Sequence, residues 1–544
     1  MNLYQSCIET YDSYIGTNRE PLIDGVPWRP MAPVGHTVVT PDIEIAISPD
    51  GKFIDARTPD KKCVDMVVIP VTETSRGRSG ASVRPHCLCD KADYVLPPPE
   101  GKKAHNAEFM RKLREWEQSE YTHPSVTAVL RYLEGGSVIG DLIDKGLDKE
   151  IGGGVIYFMV CSKGKGLFDD GSVNWRDVSA RYDEELINCH IKRYLSLISA
   201  ERGTELCELT GESTIPAENN FPKGVVRCGG NAKVMSVNFN EFTFLGENFV
   251  SEKGALSAGY VNSQKFHNAL QWEFTRGMLL DTRAFALWYL VSEGKKLRIS
   301  AIADVSTTGR TAITYYNICE AGEGEEESVW KLSIGDIPMR TLVDLAYGSP
   351  IGVKDKQRIE APDTLKNRGM QDLITYYDGN GEFPMNITRA IVLNAGNLSA
   401  YSKRNRGLLL KAACMCISLT KGEVNKESRD YMYGSLFAIL EQIETRAFPG
   451  KDDSFVLSVQ RELCGRPRRA FKKLYKRIKE WAYPKFERSD RDPRGYYEKL
   501  ISELYVEDAE GEPDRPLNED YLVGYNDERQ NLYTQAPKGE DNAD

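Results

Sequence analysis

Long apolar runs are missing from this 544-residue chain. No stretch nears the roughly 20 consecutive apolar residues that span a bilayer. The densest run, ALWYLV at 286–291, has the length of a buried strand. The opening segment MNLYQSCIETYDSY has no basic region followed by an apolar one, so no export signal is expected there. Histidine is scarce: the six residues at 36, 86, 105, 123, 190 and 267 stand apart, with no His-Asp pair of the kind metal nucleases use. There is no G-x-x-x-x-G-K-[ST], no G-x-S-x-G and no H-E-x-x-H. The glycine run at 152–154 leads into a strand pattern, the reverse of a dinucleotide-binding turn. Together these absences argue against an enzyme, and no catalytic residue, metal or cofactor is expected. The twelve cysteines are scattered, which in a chain without an export signal points to reduced thiols and a cytoplasm. His86, Cys87 and Cys89 could supply zinc ligands, but no second pair follows at suitable spacing. Packing of two small apolar thiols is the better reading.

What is present is charge, unevenly spread. The chain carries a net charge of −10. Residues 461–494 (RELCGRPRRAFKKLYKRIKEWAYPKFERSDRDPR) nevertheless hold thirteen Lys or Arg against five Asp or Glu, so the remainder stands at −18. Pro467 suits a first helical turn and Pro484 the end of the run. Between them Phe471, Leu474, Tyr475, Ile478, Trp481 and Ala482 share one face. Arg468, Lys472, Lys476 and Lys479 fall mostly on another, spaced by three or four residues. Such a row is either the solvated face of a bundle helix or a track for a phosphate backbone. Tyr475 and Trp481 read as core, with base stacking as the alternative.

Hydrophobic periodicity divides the chain near residue 335. A helix is expected over 1–20, then strands at 39–47, 53–57 and 66–71, with SPDGK (48–52) as a hairpin turn in a small antiparallel sheet. Helices follow over 104–133, where Phe109, Leu113 and Trp116 share a face, and over 184–199. A strand is expected at 152–161 and two more at 207–214 and 226–239. A helix at 262–277 precedes strands at 284–291, 297–305 and 312–319. Beyond about 337 helices take over: 364–377, 387–395, 405–420, 429–446, 455–463, 467–482 and 494–505, with a last one before a fraying acidic tail. The fold class is α+β: a mixed N-terminal α/β region with antiparallel sheets (1–335), then an all-helical C-terminal bundle (336–544).

Two further segments invite a ligand reading. Thr74–Leu96 begins as an exposed Gly/Ser/Arg loop, in which Arg76, Arg78 and Ser79 either solubilise a hairpin tip or enter a DNA groove. In SAGYVNSQKFHNALQW (257–272), Asn262 or Ser263 can cap a helix that carries Phe266, Leu270 and Phe274 inward. Lys265 in its first turn, where an acid is normally preferred, suggests an anion such as phosphate. Ordinary capping is the simpler alternative.

These pieces, taken in order, resemble the large subunit of the type I-C CRISPR interference complex, Cascade. The resemblance rests on the PDGK hairpin, RSGASVRPHCLCDKADYVL, CELTGE (207–212), SEKGALSAGYVNSQKFHNAL, STTGRTAITYYN (306–317), YMYGSLFAILEQIE (431–444) and YLVGYNDERQNLYT (521–534). The basic cluster near 466–477 and the loop at 76–80 do not match it letter for letter. The resemblance implies a non-enzymatic subunit beside the crRNA 5′ handle that recognises the protospacer-adjacent motif (PAM) in duplex DNA and starts strand opening. It implies a C-terminal region, from about 415, similar to the small subunits that line the displaced strand. An internal start at Met415 or Met432 could produce that region separately. The partners implied are crRNA-containing backbone and handle-binding subunits, small subunits, double-stranded target DNA and a helicase–nuclease; no membrane is involved. On this reading Arg76, Arg78 and Ser79 face the PAM. Asn262, Ser263 and Lys265 meet either the PAM or the target backbone. Arg468, Lys472, Lys473 and Lys476 hold the displaced strand. A nuclease or other enzyme of the same defence system is the alternative, and would need a carboxylate or histidine cluster.

Overall fold

A computed structural model describes residues 1–16, 22–23, 26–27, 30–59, 66–76, 78, 83–97, 103–147, 152–218, 221–226, 233–235, 257–280, 283–305, 311–322, 329, 332–347, 363–451, 454–486, 492–505 and 514–534. The chain forms two units, Met1–Val329 and Trp330–Asp544. It has the expected α+β fold, with strands concentrated in the first part and helices in the second.

In the first unit α1 (Leu3–Tyr14) opens the chain. The predicted strand at 39–47 is in fact two, β1 (His36–Val39) and β2 (Ile43–Ile47). β2 and β3 (Phe53–Arg57) form the hairpin around SPDGK. Gly51 takes φ 81° there, and a Cβ would lie 2.9 Å from the Ala128 carbonyl oxygen, so the turn needs glycine twice over. β1 instead pairs with β4 (Val67–Pro70). After the single-turn helix α2 (Glu73–Arg76), β5 (Cys89–Lys91) leads to α3 (Lys103–Glu117) and α4 (Pro124–Glu134). β6 (Val155–Val160) then completes a four-stranded sheet in the order β3-β2-β6-β5. β2 and β6 run parallel, a departure from the all-antiparallel expectation that follows from their separation by more than 100 residues. Burial on both sides explains the unbroken apolar run VIYFMV and a strand IEIAI whose one charged residue, Glu44, is itself sealed from solvent. Phe109, Leu113 and Trp116 close over this sheet, each no more than 1% exposed.

A second core forms farther along. α5 (Glu184–Arg202) precedes α6 (Tyr260–Arg276). β7 (Met278–Leu280), β8 (Arg283–Ser292), β9 (Lys295–Val305) and β10 (Thr311–Glu320) make an antiparallel meander. α1 and α6 lie against it: Tyr4 meets Phe266 at 4.7 Å between ring centroids, and Trp288 Nε1 donates to Thr10 Oγ1 at 3.1 Å. Phe266, Leu270 and Phe274 point inward as predicted. Only a two-residue hairpin, 205–206 with 213–214, forms where a strand was expected over 207–214; most of 226–239 lies outside the described residues.

Among the described residues the regular structure of the second unit is helical apart from a short hairpin at 333–338. Its helices include α7 (Met339–Tyr347), α8 (Asp363–Tyr377), α9 (Met385–Ala395), α10 (Lys403–Lys421), α11 (Arg429–Ala447), α12 (Phe455–Ser458), α13 (Gln460–Gly465), α14 (Pro467–Trp481), α15 (Arg494–Leu504) and α16 (Asp520–Thr534). The single helix predicted over 455–463 is broken into α12 and α13, because Val459 leaves the helical ladder. α11 is buried along nearly its whole length. It crosses α16 with Gly434 and Gly524 at the contact. A Cβ on Gly434 would stand 1.9 Å from the Tyr521 carbonyl oxygen, and one on Gly524 2.0 Å from that of Tyr431. Asn518 N donates to Asp430 (3.0 Å), Ser435 Oγ to Gly524 O (3.2 Å), and Arg529 Nε lies 3.9 Å from Glu441. These partners advance in step, so the two helices run in the same direction. Among the described residues no helix is long and apolar enough to cross a membrane.

Two stability predictions follow from this packing. Gly434→Ala or Gly524→Ala must push the helices apart and should cost about 1–3 kcal/mol each; a urea midpoint equal to wild type would refute the close crossing. His36, His86, His190 and His267 are held neutral by burial, at about 4, 4, 3 and 3. The unfolded chain takes those protons near pH 6.5, so stability is fully present above that pH and drains as pH falls towards 4. Buried Glu273, pushed up to about 8, and Glu73, raised by its burial, act in the opposite sense but are outnumbered by the four histidines. The urea midpoint of the first unit should therefore drop from pH 7 to pH 5; an equal or higher midpoint at pH 5 would contradict this.

Candidate nucleic-acid interface

In the first unit Arg76 and Arg78 are both engaged with partners elsewhere in the fold. α2 is fastened at both ends. The Glu73 carboxylate, 5% exposed, accepts from Arg202 (2.6 Å), Tyr194 Oη (3.2 Å) and the Glu218 N–H (2.8 Å). Arg76 reaches across 188 residues of chain to donate to Gln264 Oε1 (2.9 Å) and also bonds Asn268 Oδ1 (3.1 Å), both on α6. Arg78 makes a two-pronged pair with Asp90 (2.7 and 2.5 Å), donates to the Arg84 carbonyl, and lies over the Tyr94 ring. Asp90 also accepts the His86 and Lys91 N–H groups. Ser79 lies outside the described residues. His86 bonds Ser75 Oγ (3.0 Å), and Cys89 is buried; among the described residues no three metal-ligating side chains gather.

α6 starts three or four residues earlier than the capping argument requires. Its N-cap is Gly259, without a side-chain cap, in place of Asn262 or Ser263. The Gly259 N–H points at Cys207 Sγ (3.2 Å), and Asn262 Nδ2 reaches the same sulfur (3.7 Å) and Thr210 Oγ1 (3.1 Å). Burial pushes the Cys207 thiol up, but these donors outweigh it and bring it below its ordinary value. Ser263 is buried, its Oγ 3.4 Å from His267 Nδ1. Lys265 pairs with Asp12 of α1 at 2.7 Å, which accounts for a cation in that first turn. The structure thus draws Arg76 to the same helix as Asn262, Ser263 and Lys265, while Arg78 belongs to the β5 side.

Sequence reading missed Lys223 and Lys233. They bridge as antiparallel neighbours, and Lys233 is held below its usual value by burial and then by the charge of Lys223. This segment folds onto α6: Gln271 Nε2 donates to Gly224 O at 2.8 Å, and Phe221 stacks on His267 at 6.0 Å. A signal was available, since residues 219–240 contain Lys223, Arg227 and Lys233 and no acid.

In the second unit α14 behaves as its periodicity demands. Pro467 is its first residue, and Asp514 accepts the Arg468 and Arg469 N–H groups (3.0 and 3.1 Å), an anion at the positive helix end. Pro467, Ala470, Phe471, Leu474 and Ile478 are buried. Every other residue from Arg468 to Lys479 except Tyr475 is Lys or Arg, seven in all. Lys473 meets Glu462 (3.0 Å), Lys479 meets Glu498 (3.2 Å), and Lys476, 78% exposed, lies 3.9 Å from Glu480. Among the described residues no carboxylate comes within ion-pair distance of Arg469, Lys472 or Arg477. Tyr475 stacks on Phe471 (5.7 Å) and donates to Glu498, whereas Trp481 keeps part of its surface in solvent.

The fold and this geometry define an α+β protein whose separate helical unit presents a dense cationic helix face. Comparison with protein families is more specific. The family described as CRISPR-associated protein (Cas_Csd1) matches residues 8–293 and 339–533, and the chain belongs to that family. No curated protein matches it significantly.

Because Asp90 is fully enclosed, Arg78→Ala leaves a carboxylate that only backbone donors compensate. It should cost about 3 kcal/mol of stability. Unchanged thermal and urea unfolding would show that the pair is not structural.

Proposed function

We propose that this chain is the non-catalytic large subunit of an RNA-guided type I-C Cascade complex in the cytoplasm. It recognises the PAM in double-stranded DNA, promotes strand opening and helps recruit the helicase–nuclease. Its partners are the crRNA-bearing backbone and handle-binding subunits and the small subunits. The observation that carries this reading is α14: seven cations over an apolar underside, in a chain of net charge −10 that belongs to a CRISPR-associated family. An acidic chain gains nothing in solubility by gathering so many cations on one helix, whereas a polyanion gains a contact row. That row holds the displaced strand without regard to sequence. Duplex contact falls to the first unit, where Arg76, Lys223 and Lys233 lie along α6. Guide pairing reads the rest of the target, as in other RNA-guided systems.

The test uses the assembled complex. Lys472→Ala with Lys476→Ala should weaken binding equally for all target sequences and reduce the salt slope by about 0.7–0.9 per lost contact. Arg76→Ala should weaken PAM-bearing duplexes roughly 5- to 100-fold and leave crRNA assembly intact. An unaltered salt slope removes the strand-holding role, and equal loss on PAM-free duplexes removes the Arg76 assignment.

A further inference from the structure

We infer that the C-terminal end of α14 carries a stacking site for one unpaired base of a single-stranded nucleic acid, built from Trp481, Phe448 and Phe455 and rimmed by Lys451, Arg477 and Lys485. The inference takes its ligand class from the function proposed above and rests on it.

Three aromatic rings gather here, and none is buried. Phe448 stacks on Trp481 with ring centroids 3.9 Å apart and planes 25° from parallel; Phe455 stands edge-on to Trp481 at 6.5 Å. A cluster serving packing alone would be closed over by aliphatic side chains. This one is ringed by exposed cations. Lys451 Nζ lies 4.8 Å from the Trp481 centroid, Arg477 5.7 Å from Phe455, and Lys485 5.9 Å from Phe448. Aromatic clusters otherwise attract cationic ligands, and this rim repels them. A ligand with flat π faces and flanking negative charge suits both features, and a nucleotide within a strand has both.

The platform is held from beneath. Glu444, 3% exposed, accepts from Ser454 Oγ (2.6 Å), Phe455 N (2.8 Å) and Val456 N (3.0 Å). Its own carbonyl accepts the Phe448 N–H at 3.0 Å. One buried residue therefore sets the backbone of two of the three rings, which lowers the ordering cost of binding. The site also continues the α14 row: Arg477 lies eight residues beyond Arg469, about 12 Å along the helix axis. Glu480 is turned to Lys476, and Asp452 and Asp453 lie outside the described residues.

The test compares the full-length chain on a labelled oligothymidylate and on an abasic oligonucleotide of equal length. Wild type should bind the base-bearing strand more tightly. Trp481→Ala should lower that affinity roughly 5- to 100-fold and leave the abasic affinity unchanged, while Trp481→Phe, which keeps a ring, should retain most of the preference. Lys472→Ala with Lys476→Ala should weaken both strands alike. Equal wild-type affinity for the two strands overturns the stacking site, even where Trp481→Ala fails to fold, and leaves the lysine row standing. Equal loss on both strands in Trp481→Ala overturns it too. A wild-type chain that binds neither strand removes both readings.

Discussion

The second unit depends on the place where Gly434 and Gly524 let two backbones touch. Interiors are close-packed, so a missing Cβ at a crossing is occupied by the neighbouring chain. Here each glycine receives a carbonyl from the partner helix. That approach fixes α11 against α16, and α11 carries what lies around it. Tyr433 meets Phe471 of α14 at 6.3 Å, Arg446 lies over Tyr497 of α15, and Glu444 holds the start of α12. The direction in which α14 turns its cations is thus set by a contact that contains no cation.

Charge is used in two ways, and burial separates them. In the first unit cations serve buried acids. Arg57 and Arg181 both grip Glu44, which is sealed from solvent, at 2.7 Å; Arg202 holds Glu73, and Arg78 holds Asp90. Removing water from a carboxylate is costly unless a guanidinium and further donors replace it. On α14 the cations stay in solvent, where pairing is worth little, so neighbours such as Glu480 do not commit them. The same residue type is scaffold in one unit and open surface in the other.

The parts of the candidate site that were legible are those written in local periodicity. Phe471, Leu474 and Ile478 announce a buried face, and their spacing alone places Lys472, Lys473 and Lys476 opposite it. The loop was harder. Gly and Ser beside Arg describe an exposed tip equally well as a segment whose arginines have distant acceptors. Nothing near Arg76 names Gln264 and Asn268, and nothing near Lys265 names Asp12, 253 residues away. The cap of α6 was misplaced for a related reason: Gly259 is tied to Cys207 across the fold, and the helix starts there, ahead of Asn262 and Ser263. Lys223 and Lys233 were overlooked because cations ten residues apart form no row until the fold sets those two side by side.

The sequence by itself determined the class of fold, the change from strands to helices, and the amphipathic design of α14, since each follows from residues within a few positions of one another. Tertiary structure alone decided which cations are spent on buried acids, which strands lie parallel, and that Phe448, Phe455 and Trp481 meet. Those outcomes are set by partners far apart in the chain, and only packing chooses them.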